Sequence, residues 1–187
     1  MNCRNDLTAE YVRECLEYNP ETGLLKWKTR PVEHFKSEND CKRWNSKYAG
    51  KVAGAINGSR YINIDINNQT YKAHRLAWLI FYGKWPKDQI DHNDGERSNN
   101  KIDNLRDVPN SINGKNKKIP INNNTGHVGV KKTKYDTWRA YIKVDGILYD
   151  LGSHKNIEDA IKARKEAEKK HDFHPNHGRK MSFEKAA

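Results

Sequence analysis

The chain has 187 residues, 35 Lys and Arg against 24 Asp and Glu, and a formal net charge of +11. Only 35% of it is hydrophobic and 32% is charged, so one ordinary domain or two small ones with separate cores is expected. No run approaches the ~18 apolar residues of a membrane span, so no membrane partner is expected, and Met1–Asp6 has no apolar stretch that would mark a secretory signal. Excess positive charge favours a polyanion, nucleic acid first, through counterion release at phosphates; the bland alternative is a basic protein without such a partner. Cys3, Cys15 and Cys41 form no C-x-x-C pair, which excludes a four-cysteine zinc site and argues against a disulfide framework.

In chain order, a helix is expected from Leu7 to Tyr18, with Thr8 as N-cap and Tyr11, Val12, Cys15 and Leu16 on one face. Asn19–Gly23 breaks it, and Leu24–Lys28 reads as a short strand. Residues 29–48 are polar and aperiodic and read as loop. Tyr61–Ile66 alternates, with Ile62, Ile64 and Ile66 on one face; Asn67-Asn68 suits a tight turn, and Gln69–Ala73 is the return strand. A helix follows over Ala73–Tyr82, stopped by Gly83 and Pro86. A strand ending at Asp91-His92, a polar loop, a strand at Leu105–Val108 and a helix opening near Pro109 come next. Three strands near 128–133, 137–144 and 147–152, with Asp145-Gly146 as a turn, precede a helix over Ile157–Lys170 and a loose tail from Phe173.

Asp91-His92, followed by Asn104 and Asn113, suits metal-assisted phosphodiester hydrolysis. A hard divalent cation takes oxygen ligands, which the Asp91 carboxylate and the Asn113 amide can supply. An imidazole with an ordinary pKa near ~6.5 can take a proton from the attacking water, provided a neighbour fixes its tautomer; a backbone carbonyl or the Asn104 region is expected to do so. Each residue alone is more often a turn, cap or surface feature, and the joint spacing carries the reading. His74 either packs at the start of its helix or faces phosphate.

The segment Ile90–Asn116 resembles the motif of the HNH (ββα-metal, His-Me finger) endonucleases, in the branch found in phages and group I introns. The matching pieces are Asp91-His92-Asn93-Asp94-Gly95, Asn99-Asn100, Asn104-Leu105-Arg106 and Asn113, with His74-Arg75-Leu76 upstream. The resemblance covers roughly residues 50–117. It implies Asp91 and Asn113 as metal ligands, His92 as general base and Asn104 as the buttress of the turn around His92. Asn rather than His at the last position favours Mg(II) or Mn(II), and no structural zinc is expected.

In the C-terminal region Trp138, Ala140 and Ile142 share one strand face, and Arg139, Tyr141 and Lys143 the other. The second set suits phosphate and base contact, or simply a wetted sheet face. Gly129-Val130, Trp138–Ile142, Leu151-Gly152 and Glu158-Asp159-Ala160 resemble the apetala-two (ethylene-response-factor) DNA-binding domain over residues 125–172. The resemblance implies a three-stranded sheet on DNA, through Lys131, Arg139, Tyr141 and Lys143, with a helix behind. Leu148 and Asp150 depart from that family's third strand. Arg97, Arg106, Lys115 and Lys117 are further DNA-contact candidates. His171, His174 and His177 are evenly spaced, but a metal site there is not expected.

An α+β fold follows, with an N-terminal helix–strand region (1–48), a nuclease domain (49–117), a linker (118–124), a DNA-binding domain (125–172) and a tail (173–187). The expected function is a metal-dependent DNA endonuclease acting on double-stranded DNA, as a monomer or weak dimer, nicking or cleaving at a homing-type site. The expected location is cytoplasmic, the host cytosol if a phage encodes it. The rivals are a DNA-binding regulator with an inactive or secondary nuclease centre, and a structured-RNA binder or RNase.

Overall fold

The computed structural model of the chain describes residues 5–180, so Cys3 and the end of the tail lie outside the described residues. The fold is α+β, built from small antiparallel sheets and short helices. It divides into two compact units, Met1–Val108 and Pro109–Ala187. Residues 118–124 and the described part of the tail belong to the second.

In the first unit, α1 (Ala9–Cys15) starts at Thr8, whose side chain accepts from Tyr11 N at 3.2 Å. The helix ends three residues before the expected Tyr18: Leu16 turns extended and opens β1 (Leu16–Tyr18), paired with β2 (Leu25–Trp27). The reason is cross-strand packing. Leu16 lies opposite Trp27, and both sink into the core with Leu25. The expected loop over 29–48 also needs correction, because it contains a turn of 3₁₀ helix (Val32–His34) and α2 (Glu38–Tyr48). Ser37 caps α2 by accepting from Asp40 N at 3.2 Å. The helix has no buried residue, so no apolar stripe announced it.

Strands β3 (Ala55–Ile56), β4 (Ile62–Ile66) and β5 (Gln69–Lys72) form one sheet in that order. Ile64 and Ile66 are fully buried on its inner face. Asn67 and Asn68 take φ of 52° and 59°, the left-handed pair that a two-residue hairpin turn needs. α3 (Ala73–Tyr82) has the predicted span and packs Ala73, Leu76, Ala77 and Leu79 into the core; Gly83, at φ 73°, caps it. β6 (Gln89–His92) and β7 (Leu105–Val108) then form a hairpin in which Asp91 faces Arg106 and His92 faces Leu105.

The second unit opens with the short helix α4 (Asn110–Gly114). Strands β8 (Val130–Lys132), β9 (Trp138–Val144) and β10 (Ile147–His154) form an antiparallel sheet in the order β10-β9-β8, backed by α5 (Ile157–Lys170). Ala140, Ile142 and Val144 face the helix and are buried, while Arg139 and Lys143 are exposed and Tyr141 is half-buried. A buried Arg164–Glu168 pair at 2.9 Å locks helix to sheet, since Arg164 also donates to the Tyr141 carbonyl at 2.7 Å. The tail is not loose as far as Lys180. His174 N bonds Lys115 O, Gly178 N bonds Lys117 O and Ile119 N bonds Arg179 O, so residues 174–179 pair with 115–119. His177 is buried beside Arg164, with ring and guanidinium nitrogens 3.3 Å apart.

Candidate active site

β6 carries Asp91 and His92 into the interior, leaving them 5% and 4% exposed. A turn closes behind them, with Asn93 N donating to Asn104 O at 2.8 Å and Gly95 N donating to His92 O at 2.7 Å. Asn104 knits this loop. Its Oδ1 accepts from Asp94 N at 3.0 Å, and its Nδ2 donates to Asp94 Oδ1 at 3.0 Å and Asn99 O at 2.9 Å. Burial disfavours a charged Asp94, yet bonds from Asn99, the Glu96 amide and Asn104 hold its carboxyl below the usual range.

A hydrogen-bond partner of the His92 imidazole is Asn100, a residue with no role assigned from the sequence. Its Oδ1 lies 3.3 Å from His92 Nε2, and its side chain is sealed at 1% exposure. With the amide placed this way, Nε2–H donates to Asn100, and Nδ1 is the basic nitrogen of the neutral ring. Asn100 is itself held by the N-terminal region. Tyr18 Oη donates to Asn100 O at 2.7 Å, and Ile102 N donates to Pro20 O at 3.1 Å. Gly23 sits against the same backbone at φ +74°; a Cβ there would lie 2.5 Å from Lys101 N and 2.6 Å from the Asn100 carbonyl carbon. Such a tie between residues distant in sequence has no local signal, so sequence reasoning had no means of finding it.

Burial also sets the protonation of the site. It lowers the His92 pKa below the ordinary imidazole value, against the opposing pull of Asn100, Asp94 and Asp91. His74, at the start of α3, packs edge-on to His92 with ring centroids 5.1 Å apart. Its Nδ1 is buried with no hydrogen-bond partner among the described residues. Burial, then the neighbouring His92, Arg75 and Lys72, push its pKa well below the ordinary value. Tyr61 completes the wall, 5.2 Å from His74 and 6.0 Å from His92. The Lys72 ammonium and the Arg97 guanidinium lie 5.0 Å and 4.9 Å from its ring centroid.

The remaining candidates fall in several places. Arg106 donates to Asp91 Oδ2 across the hairpin, so in this structure its charge is spent on Asp91. Asn113 lies on α4, in the second unit, as do Lys115 and Lys117. The Lys115 ammonium donates to His171 O at 2.8 Å, whereas Lys117 is exposed. On β8 and β9, Lys131 lies beside Arg139 in register, and Lys131 sits 5.8 Å from the Tyr141 ring centroid. Arg139 is tied to Asp150 of β10 at 2.7 Å, and Lys143 is exposed opposite Leu148. Among the described residues no cluster of three or more His, Cys, Asp or Glu side chains forms a ready metal cage. No described helix is long and apolar enough to cross a membrane.

Residues 71–115 match the family model described as HNH endonuclease. The match spans α3, the β6–β7 hairpin and α4, and so contains His74, Asp91, His92, Asn100, Asn104 and Asn113. It supports a nuclease, DNA-cleaving function in general terms. No curated protein and no solved structure matches the chain.

Proposed function

We propose that the protein is a divalent-metal-dependent DNA endonuclease that nicks duplex DNA, with His92 as general base. The observation that carries this reading is the buried Asp91–His92 pair at the end of β6, its imidazole held by Asn100, inside the matched segment. His92 Nδ1 accepts a proton from the attacking water as the water oxygen bonds to phosphorus and the bond to the leaving oxygen breaks. A lowered pKa keeps the imidazole neutral, which is the form a base requires. Asn104 acts on the loop and holds its shape around His92.

The donor set fits a hard cation. Asp91 supplies a carboxylate that already accepts one cationic group, Arg106, and Asn113 supplies an amide oxygen by its place in the motif. Mg(II) and Mn(II) need few protein oxygens and complete their shell with water and phosphate, which suits a chain without a three-residue cage among the described residues. When bound, the ion stabilises negative charge on the phosphate and the leaving oxygen.

The β8–β10 sheet is proposed as the DNA-gripping face, through Lys131, Tyr141 and Lys143, with Arg139 shared with Asp150. One ββα centre per chain makes a single-strand break the product of a monomer, and a symmetric dimer would cut both strands. Cleavage of the DNA surrounding the protein's own coding region, mapped on both strands with Mg(II) or Mn(II), tests this. A nick at a fixed position supports site-directed, homing-type cleavage. Tight binding there without any cleavage favours the regulator, and preference for structured RNA over duplex DNA favours the RNase.

A further inference from the structure

The outer face of β4 carries Asn63 and Asp65, alternating with the core-facing isoleucines. Between this face and the segment 27–48 lies an open cavity of about 910 Å³. That size suits a small organic ligand or one nucleotide unit. Its walls bring together Trp27, Phe35, Trp44 and Tyr48 with Arg30 and Lys36. The rings form a continuous aromatic surface: Trp44 lies 5.0 Å from Trp27, 5.7 Å from Phe35 and 5.1 Å from Tyr48. Except for Trp27, these rings are only half-buried, so they keep part of their area on the cavity.

Arg30 is the unusual member. It is 5% exposed, and no carboxylate pairs with it among the described residues. Its guanidinium lies over Phe35 at 5.0 Å and Trp44 at 5.1 Å, and donates to His34 Nδ1, Tyr11 Oη and Asn67 Oδ1, none of them a carboxylate. Its Nη1 has no hydrogen bond among the described residues. Arg30 reaches a carboxylate only indirectly, through His34, whose Nε2 lies 2.8 Å from Glu14 Oε2, so a nearly buried cation with no direct counter-ion stands at the cavity wall, where an anionic ligand can complete it. Two carboxylates also line the groove: Asp40 is offset by Arg43 and bonded to Ser37, while Asp65 accepts from Thr70 and keeps its charge. Exposed Lys36 adds a second cation.

Aromatic rings beside a backbone-seeking arginine and lysine are the chemistry that receives an unpaired nucleotide: the base stacks and the phosphate pairs. A chain of side-chain contacts links the groove wall to the nuclease centre. Asn63 on its wall accepts from Lys72 Nζ at 2.9 Å, Lys72 lies over Tyr61, and Tyr61 flanks His92. We propose that this groove holds an unpaired nucleotide of the DNA strand next to the cut, its base on the Trp44 and Tyr48 rings and its phosphate on Arg30 and Lys36.

The proposal rests on the nuclease reading only in taking DNA as the strand supplied, so binding is measured on full-length protein carrying His92→Ala. The probe is an end-labelled oligothymidylate, read by fluorescence anisotropy, beside a blunt duplex of mixed sequence. Lys36→Glu changes an exposed residue that the fold does not need, and is expected to weaken single-strand binding about tenfold. Trp44→Leu is expected to weaken it by a similar factor, and Trp44→Tyr, which keeps a ring, to retain most of it. Duplex affinity is expected to change less than about twofold in all three, because base stacking in the groove is closed to paired bases. Single-strand affinity unmoved by Lys36→Glu would overturn the proposal, and so would equal losses for single strand and duplex. Cleavage by the unmodified protein is a separate readout, so the groove and the nuclease reading can fail independently.

Discussion

Asn100 lies against His92, its Oδ1 3.3 Å from Nε2, and Tyr18 and Gly23 of the N-terminal region hold its backbone in place. Asn100→Ala should therefore lower kcat about 10- to 100-fold with a much smaller change in KM, as is typical for a residue that orients a reacting group through hydrogen bonds. Single-turnover cleavage measures it, and a change confined to KM would contradict the role. Gly23→Ala should act on the Asn100–Lys101 backbone from outside. A left-handed φ and a Cβ at 2.5 Å from backbone force either the loop or Gly23 to move. Reduced activity together with a lower melting temperature is expected, and wild-type values of both would refute the close approach. His74 carries a pH signature. Its pKa is depressed in the folded state, so the unfolded chain binds more protons once the pH falls through the ordinary imidazole value of ~6.5. Folding stability should be fully present above that pH and decline below it, and His74→Leu should flatten the decline in urea melts taken across that range. Asp91, His92 and Asn104 are legible in the sequence as neighbours because a short hairpin joins them, whereas Asn113 falls on α4 in the second unit. Asn100 was legible as part of a motif but not as a partner, since only the turn between β6 and β7 brings its amide onto the ring.

Elements with a strong apolar period were read almost to the residue. α3 and α5 have their expected ends because Leu76, Ala77 and Leu79 in one, and Ala160 and Ala167 in the other, repeat at helical spacing. The β4–β5 turn followed from Asn67-Asn68. The reading failed where burial does not dictate the element. α2 has no buried residue, and its one local sign was the Ser37–Asp40 cap. Leu16 fitted a helical stripe and yet pairs as a strand, because a partner strand outweighs propensity when both bury the same side chain. The tail was misread for a related reason, as its hydrogen bonds go to residues 115–119, far away in sequence. α5 offers a test of what holds the second unit together. Arg164→Ala leaves buried Glu168 with Lys165, at 2.7 Å, as its remaining close cation, and strips a bond from the Tyr141 carbonyl. A loss of about 1–3 kcal/mol is expected in denaturant melts that follow the second unit's own probe, Trp138. A change under about 1 kcal/mol would mean the pair is dispensable.

The net charge of +11 acquires a distribution once the structure is known. Arg30 and Lys36 line a groove, Lys72 and Arg97 flank Tyr61, and Lys131 and Lys143 occupy a sheet face. Other cations are spent internally, Arg164 on Glu168 and Lys115 on the His171 carbonyl. If the remaining cations meet about 6–10 phosphates, affinity for duplex DNA should fall by about 10³–10⁵ between ~50 and ~200 mM salt, and a flat response would remove the electrostatic argument. The buried Asp91, paired with Arg106 beside His92, is the point on which the functional reading turns, since its carboxylate is the oxygen a divalent cation would take. The most direct measurement is cleavage of supercoiled plasmid with Mg(II), comparing the unmodified protein with His92→Ala and with an EDTA-treated sample. The unmodified protein should yield open-circular product, and both the substitution and the chelator should abolish it while DNA binding persists. Equal cleavage by the unmodified protein and His92→Ala would contradict the assignment of the base.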